Sequence, residues 1–180
     1  MIDIVAQVLS IFGMVCIVSS FQMKNKKVLL SVYLSGNVFF SASYFMLGAA
    51  AAGLLNGICG VMALVNTQSE KIKNRWAINI TFWILFTASY VLAFTVFDTP
   101  RTPSRFILEL LPLTAMYIMT VSFSMKNSAA VRRLGLINSP LWLIYNIIIF
   151  SIGGIICECI SLGSIILGIF RHDIKKKEKQ

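Results

Sequence analysis

Apolar residues fall along the chain in seven blocks, each closed by a short polar or turn-forming stretch. The blocks run from about Ile4 to Phe21, Val28 to Leu47, Ala50 to Val65, Trp76 to Phe97, Phe106 to Phe123, Leu134 to Phe150 and Ile155 to Phe170. A helix crossing a bilayer needs about 20 apolar residues, so the spacing predicts seven transmembrane helices with short connections. Asp98-Thr99-Pro100-Arg101-Thr102-Pro103 is a breaker, and Gly48 with the alanines after it makes a tight connection. Ser151-Ile152-Gly153-Gly154 is expected to turn the chain before the last helix. The first block has no basic stretch before it and no A-x-A-like cleavage site, so it is read as a retained helix rather than a signal peptide.

Composition agrees with this pattern. Of 180 residues, 57% are hydrophobic and 13% charged, with a mean hydropathy of +0.81. Globular domains run at roughly 45–50% apolar and about 25% charged. A disordered chain is excluded, a soluble enzyme is disfavoured, and seven helices leave no room for a further soluble domain.

The formal net charge of +9 sits in short clusters between the apolar blocks. A nucleic-acid surface would want a polar basic face with interleaved aromatics, so no nucleic acid is expected as a partner. Lys24, Lys26 and Lys27, then Lys71, Lys73 and Arg75, then Lys126, Arg132 and Arg133 mark the first, third and fifth connections. The tail adds Arg171, Lys175, Lys176, Lys177 and Lys179, while the remaining connections carry only Arg101 and Arg105. A split of 14 to 2 places the N-terminus outside and the C-terminus in the cytoplasm. Cys16, Cys59, Cys157 and Cys159 all lie in apolar blocks and read as small hydrophobes. Neither they nor the lone His172 suggest a metal site. No HExxH, GxSxG, aspartate pair or His-rich helix is present, so neither an enzyme nor a cofactor is expected.

The chain also resembles itself. Ser20-Phe21-Gln22-Met23-Lys24-Asn25 recurs as Ser122-Phe123-Ser124-Met125-Lys126-Asn127, 102 residues on, in each case ending one helix and opening a basic loop. Asn37 and Tyr44 recur 101 residues on as Asn138 and Tyr145, and Asn56 falls opposite Glu158 at 102. Helices 1–3 and 5–7 would then be parallel three-helix repeats, because helix 4 restores the chain direction. The corresponding divisions are residues 1–68, a linker helix with its loops over 69–104, residues 105–171, and a basic tail over 172–180. Such repeats characterise transporters whose site lies near the bilayer midplane at the repeat interface.

Several short motifs carry a family resemblance. Ser20 to Asn25 with its basic loop, Tyr44-x-x-Leu47-Gly48, Asn56, Trp142-x-x-Tyr145-Asn146 and Gly153-Gly154-x-x-x-x-Glu158 resemble the bacterial inner-membrane YgjV family across essentially the whole chain. The 3+1+3 plan is similar to SWEET-type sugar transporters, their PQ-loop relatives and PnuC-type vitamin transporters. The resemblance to YgjV implies a small multispanning inner-membrane protein. The likeness to SWEET proteins implies that an aromatic on the second helix of each repeat, here Phe40 and Trp142 with Tyr44 and Tyr145 as alternatives, stacks on the substrate. Each of these rings reads equally as membrane core or interfacial belt. Where a SWEET pattern would have a substrate asparagine in helix 7, this chain has Glu158, which points away from sugars and toward a cation or a proton-coupled solute.

Glu158 is the sharpest candidate, since a carboxylate inside a membrane helix is costly and by default functional. It reads as a proton relay or cation contact, or as a packing group hydrogen-bonded to Asn56. Asn56 suits a polar substrate or an interhelical hydrogen bond. Pro112 and Pro140, inside helices 5 and 6, read as hinges or as static kinks. Glu109, one turn from Arg105, reads as half of an interfacial ion pair. The expectation is a small-molecule transporter of the inner membrane, with a non-transporting assembly or regulatory protein as the alternative. Expected partners are the lipid bilayer, a small polar solute with a proton or cation, and a second copy of the chain as a candidate dimer.

Overall fold

A computed structural model describes residues 2–20, 23, 26–68, 75–97, 99–125 and 128–170. These residues form seven helices and no strand: α1 (Ile2–Ser20), α2 (Lys26–Met46), α3 (Ala50–Gln68), α4 (Arg75–Thr95), α5 (Pro103–Ser124), α6 (Ser128–Ile148) and α7 (Ile152–Ile169). Lys24, Lys71, Lys73, Lys126 and the tail 171–180 lie outside the described residues, as do Phe21, Gln22, Asn25 and Asn127 of the recurring hexapeptide.

Each apolar block holds a helix, with informative differences at the ends. α5 begins at Pro103 because Thr102 caps it, its Oγ1 accepting from the Arg105 N–H at 3.3 Å. α6 begins at Ser128, about six residues before its apolar block, because a helix continues through Val131-Arg132-Arg133 after the need for lipid contact has ended. The expected turn at Gly153-Gly154 is corrected: both glycines are helical and buried in the first turn of α7, and the chain reverses at 149–151. A Cβ on Gly153 would run into the backbone of Ser10 and Ile11, so this glycine is needed for close approach of α1 rather than for a turn.

By length and composition four helices qualify as membrane spans: Ile2–Ser20, Arg75–Thr95, Pro103–Ser122 and Ile152–Ile169. Ala50–Val65 is apolar but shorter. α2 and α6 carry polar residues within their apolar blocks, Ser31, Ser35, Asn37, Ser41 and Ser43 in one and Asn138, Ser139 and Asn146 in the other. Asn37, Ser43, Ser139 and Asn146 of these two helices are buried, whereas Ser31 and Ser35 are exposed.

Packing follows chain order within two sets. α1 packs on α2 and α2 on α3; α5 packs on α6 and α6 on α7. The sets meet where α1 lies against α7 and α3 against α5, while α4 lies against α3 and α5. Asn79 and Thr87 of α4 bond to Ser124 and Tyr117 of α5, at 2.9 and 2.6 Å.

The two turns are built alike. In the α2–α3 turn the N–H groups of Leu47, Gly48, Ala49 and Gly53 donate to the carbonyls of Ser43, Phe45, Tyr44 and Ala49. In the α6–α7 turn Ile149, Phe150, Ser151 and Ile155 donate to Tyr145, Ile147, Asn146 and Ser151, each group 102 residues on. Gly48 and Phe150 both sit at positive φ, +70° and +57°. Glycine adopts this conformation freely, whereas a bulky side chain is strained there. Hydrogen bonds from Met23 N–H to Ser20 and Met125 N–H to Ser122, each 3.1 Å, also stand 102 apart.

A polar cavity between the two helix sets

A cavity of about 140 Å³ lies in the bundle, lined from α1, α2, α3, α5, α6 and α7 but not from α4. Phe40, Tyr44, Asn56, Trp142 and Glu158, all singled out from sequence, line it. Tyr145 does not. It stands behind Tyr44 and Trp142, edge-on to both, and its hydroxyl donates to Glu109 Oε2 at 2.9 Å. Pro112 is fully buried in α5, and neither it nor the half-buried Pro140 lines the cavity.

Six pairs of lining residues stand 102 apart: Ile17 and Met119, Asn37 and Ser139, Phe40 and Trp142, Tyr44 and Asn146, Asn56 and Glu158, Cys59 and Ser161. The pairs Asn37–Asn138 and Tyr44–Tyr145, drawn from sequence at 101, differ by one residue from the spacing of 102 in these lining pairs and in the turn hydrogen bonds. At 102, Tyr44 falls with Asn146 and Ser43 with Tyr145. Ser43 and Tyr145 then play like parts, each reaching from the second helix of its set to the first: Ser43 Oγ donates to the Ala6 carbonyl at 2.8 Å, and Tyr145 donates to Glu109.

The turn end of the cavity is closed. Tyr44 Oη donates to Asn146 Oδ1 at 2.8 Å, joining α2 to α6. Tyr44 stacks on Phe40 on one side and Trp142 on the other, with centroids 5.8 and 6.0 Å away and rings within 22° of parallel. Two further ties cross between the sets at this end. Gln7 of α1 donates to the Phe150 carbonyl at 2.6 Å and accepts from the Ile152 N–H at 2.9 Å, while Ser10 Oγ accepts from the Gly153 N–H. Arg105 of α5 donates to the Gly48 carbonyl at 2.9 Å. In both cases a side chain from the first helix of one set holds the positive-φ carbonyl of the other set's turn. Farther from the turns, Asn138, Glu158 and Ser161 in the lining are half-buried, while Tyr33, Asn37, Cys59 and Ser139 are buried.

The polar lining has a definite sense. Asn56 Nδ2 donates to the Ala52 carbonyl at 3.0 Å, and Asn37 Nδ2 to the Tyr33 carbonyl at 2.8 Å. A carbonyl can only accept, so these bonds fix which end of each amide is nitrogen. Asn138 Oδ1 is buried with no hydrogen-bond partner among the described residues. The Ser139 hydroxyl faces the Glu158 carboxylate. Asn56 and Glu158 line the same cavity, but the Asn56 amide nitrogen bonds to its own helix, at the Ala52 carbonyl.

The ion pair of Glu109 with Arg105 is present, and it lies deeper than a pair on an exposed helix face. The Glu109 side chain is fully buried (0% exposed), with Arg105 Nη2 at 2.9 Å from Oε1. Glu158 is therefore not the sole carboxylate in the helical interior. The spacing of four from Arg105 shows the pair but not its burial; the tyrosine that completes its shell comes from α6. Among the described residues no three His, Cys, Asp or Glu side chains come together as metal ligands would.

Residues 4–176 match the Imp-YgjV family, described as bacterial inner membrane protein. The chain belongs to this family. It is accordingly a protein of the bacterial inner membrane, in contact with the lipid bilayer, and its helices suit that setting. No curated protein and no solved structure matches it. For this YgjV-family chain, the case for a function rests on the cavity itself.

Proposed function

We propose that this YgjV-family protein is a small-solute transporter of the inner membrane, with its site in the cavity between two parallel three-helix repeats. The observation that carries the reading is the lining itself: a space of about 140 Å³ inside an apolar bundle, with polar side chains in its wall and six residue pairs around it that stand 102 apart. Residues related by a two-fold axis meet their own equivalents only on that axis. The Tyr44–Asn146 bond joins such a pair, which supports an axis through the cavity. Matched turns and the reciprocal α1–α7 and α3–α5 contacts support the same arrangement. The split of basic residues supports seven spans with the turn end outside. In this reading the site is closed outward by the Tyr44–Asn146 bond and the Gln7 and Arg105 ties, and opens toward the cytoplasm. Pro112 and Pro140 supply bending points, and Asn56, Glu158, Phe40, Tyr44 and Trp142 contact the solute. At about 30 Å³ per water, the space takes some four or five waters or one small polar molecule.

Alternating access predicts that the cavity is reached from each side in turn. The test places a cysteine at Asn56 in a chain whose four native cysteines are replaced by alanine. A membrane-impermeant thiol reagent is applied to right-side-out and inverted vesicles. Labelling from both sides is expected. Labelling from one side or neither would favour the alternative, a non-transporting assembly or regulatory protein.

A further inference from the structure

The geometry points to a small organic cation rich in N–H donors, of the guanidinium, amidinium or protonated-amine class, as the solute of this cavity. The inference rests on the transporter reading for its biology, but the binding chemistry stands on the lining alone. Glu158 is the only charged residue among the described lining, and no Lys, Arg or His accompanies it. Glu109 shows by contrast what this protein does with a carboxylate it needs for structure: it supplies Arg105 and Tyr145. Glu158 faces the Ser139 hydroxyl, and no cation stands among the described lining residues.

The neutral polar groups lean the same way. The amide nitrogens of Asn37 and Asn56 each give one of their two hydrogens to a carbonyl of their own helix, which fixes their oxygens as acceptors beside the remaining N–H. Asn138 Oδ1 is a third acceptor, buried and unpartnered among the described residues. The Tyr44 hydroxyl proton is spent on Asn146. A ligand entering this space meets one negative charge and several acceptor oxygens. An anion would face Glu158 without a counter-charge, and a neutral solute would leave the carboxylate uncompensated in a low-dielectric interior. A planar cation satisfies the acceptors, neutralises Glu158 and can lie against the Phe40, Tyr44 and Trp142 rings, whose faces attract positive charge.

The test compares four probes of similar small size by thermal unfolding of the detergent-purified full-length protein. They are methylguanidinium (cation with donors), methylurea (its neutral counterpart), tetramethylammonium (cation without N–H) and acetate (planar anion). Methylguanidinium is expected to raise the unfolding midpoint most, methylurea and tetramethylammonium less, and acetate not at all. Glu158→Gln should abolish the methylguanidinium shift, and Glu158→Asp, which keeps the charge, should retain part of it. An equal or larger shift with methylurea or acetate, no shift with methylguanidinium, or an undiminished shift in Glu158→Gln would overturn the cation assignment. If Glu158→Gln does not fold, the ranking of the four probes on the unaltered protein decides alone. Flux of radiolabelled methylguanidinium into proteoliposomes separates the two levels. Selective binding without flux would defeat the transporter reading and leave the cation site standing, whereas flux with no preference among the probes would do the reverse.

Discussion

Two carboxylates sit inside this membrane protein, and the structure treats them in opposite ways. Glu109 on α5 is sealed from solvent, held by Arg105 one turn earlier and by the Tyr145 hydroxyl from α6. Through Arg105 it also reaches the Gly48 carbonyl, so the group braces the α2–α3 turn against α5. Glu158 on α7 is half-buried, borders a cavity and has no cation beside it among the described lining. The difference teaches that charge inside a membrane bundle is not in itself a sign of function. A carboxylate whose partners are already supplied by the fold belongs to the fold. One left facing space, with no cation among the described residues around it, is available to something else.

The contrast can be broken most forcefully at Arg105. Arg105→Met should lower stability by about 3–5 kcal/mol, the effect of stranding one member of a buried ion pair. Replacing Arg105 and Glu109 together by methionine should cost less than Arg105→Met alone, since no charge is then left uncompensated. Thermal unfolding of the single and double variants in detergent checks both statements. If the double variant is the less stable, the pair is not a self-contained structural unit. Tyr145→Phe removes one hydrogen bond to Glu109 and should cost about 1.5–3 kcal/mol, as for bonds to charged groups. The same substitution should leave binding in the cavity nearly unchanged, because Tyr145 stands behind the lining. Tyr44→Phe removes a neutral bond worth about 0.5–1.5 kcal/mol. Its larger signature should be kinetic: thiol labelling of a cysteine at position 56 from the turn side should become faster once the Tyr44–Asn146 closure is lost. Unchanged labelling would show that this bond does not hold the outer end shut.

Much of this arrangement is legible in the chain before folding. The seven apolar blocks each hold a helix, since burial and lipid contact act on every residue of a block together. The cavity is partly legible as well. Phe40 and Trp142 lie 16 residues before Asn56 and Glu158, and all four, with Tyr44, border one space. Asn37, Asn138, Ser139 and Asn146 also border it. Their signal was the polarity of α2 and α6, whose apolar blocks carry serines and asparagines. Other features depend on neighbours that no local pattern names. Gly153 and Gly154 look like a turn, yet they are helical because Ser10 and Asn146 press against them. Tyr145 looks like the counterpart of Tyr44, but at the 102 spacing of the turn hydrogen bonds it falls with Ser43. Glu109 and Arg105 show their pairing in the sequence, but not that Tyr145 of α6 reaches the carboxylate.

The central claim is that Glu158 is kept for a ligand and Glu109 for the fold. Its most direct test is a side-by-side comparison of unfolding midpoints for Glu158→Gln and Glu109→Gln without any ligand. At roughly 2–4 °C per kcal/mol for a chain of this size, Glu109→Gln is predicted to fall by several degrees. Glu158→Gln should stay within about 2 °C of the unaltered protein or rise, because a partly unsatisfied charge has been removed. A fall for Glu158→Gln as large as that for Glu109→Gln would contradict the account and make Glu158 a packing group.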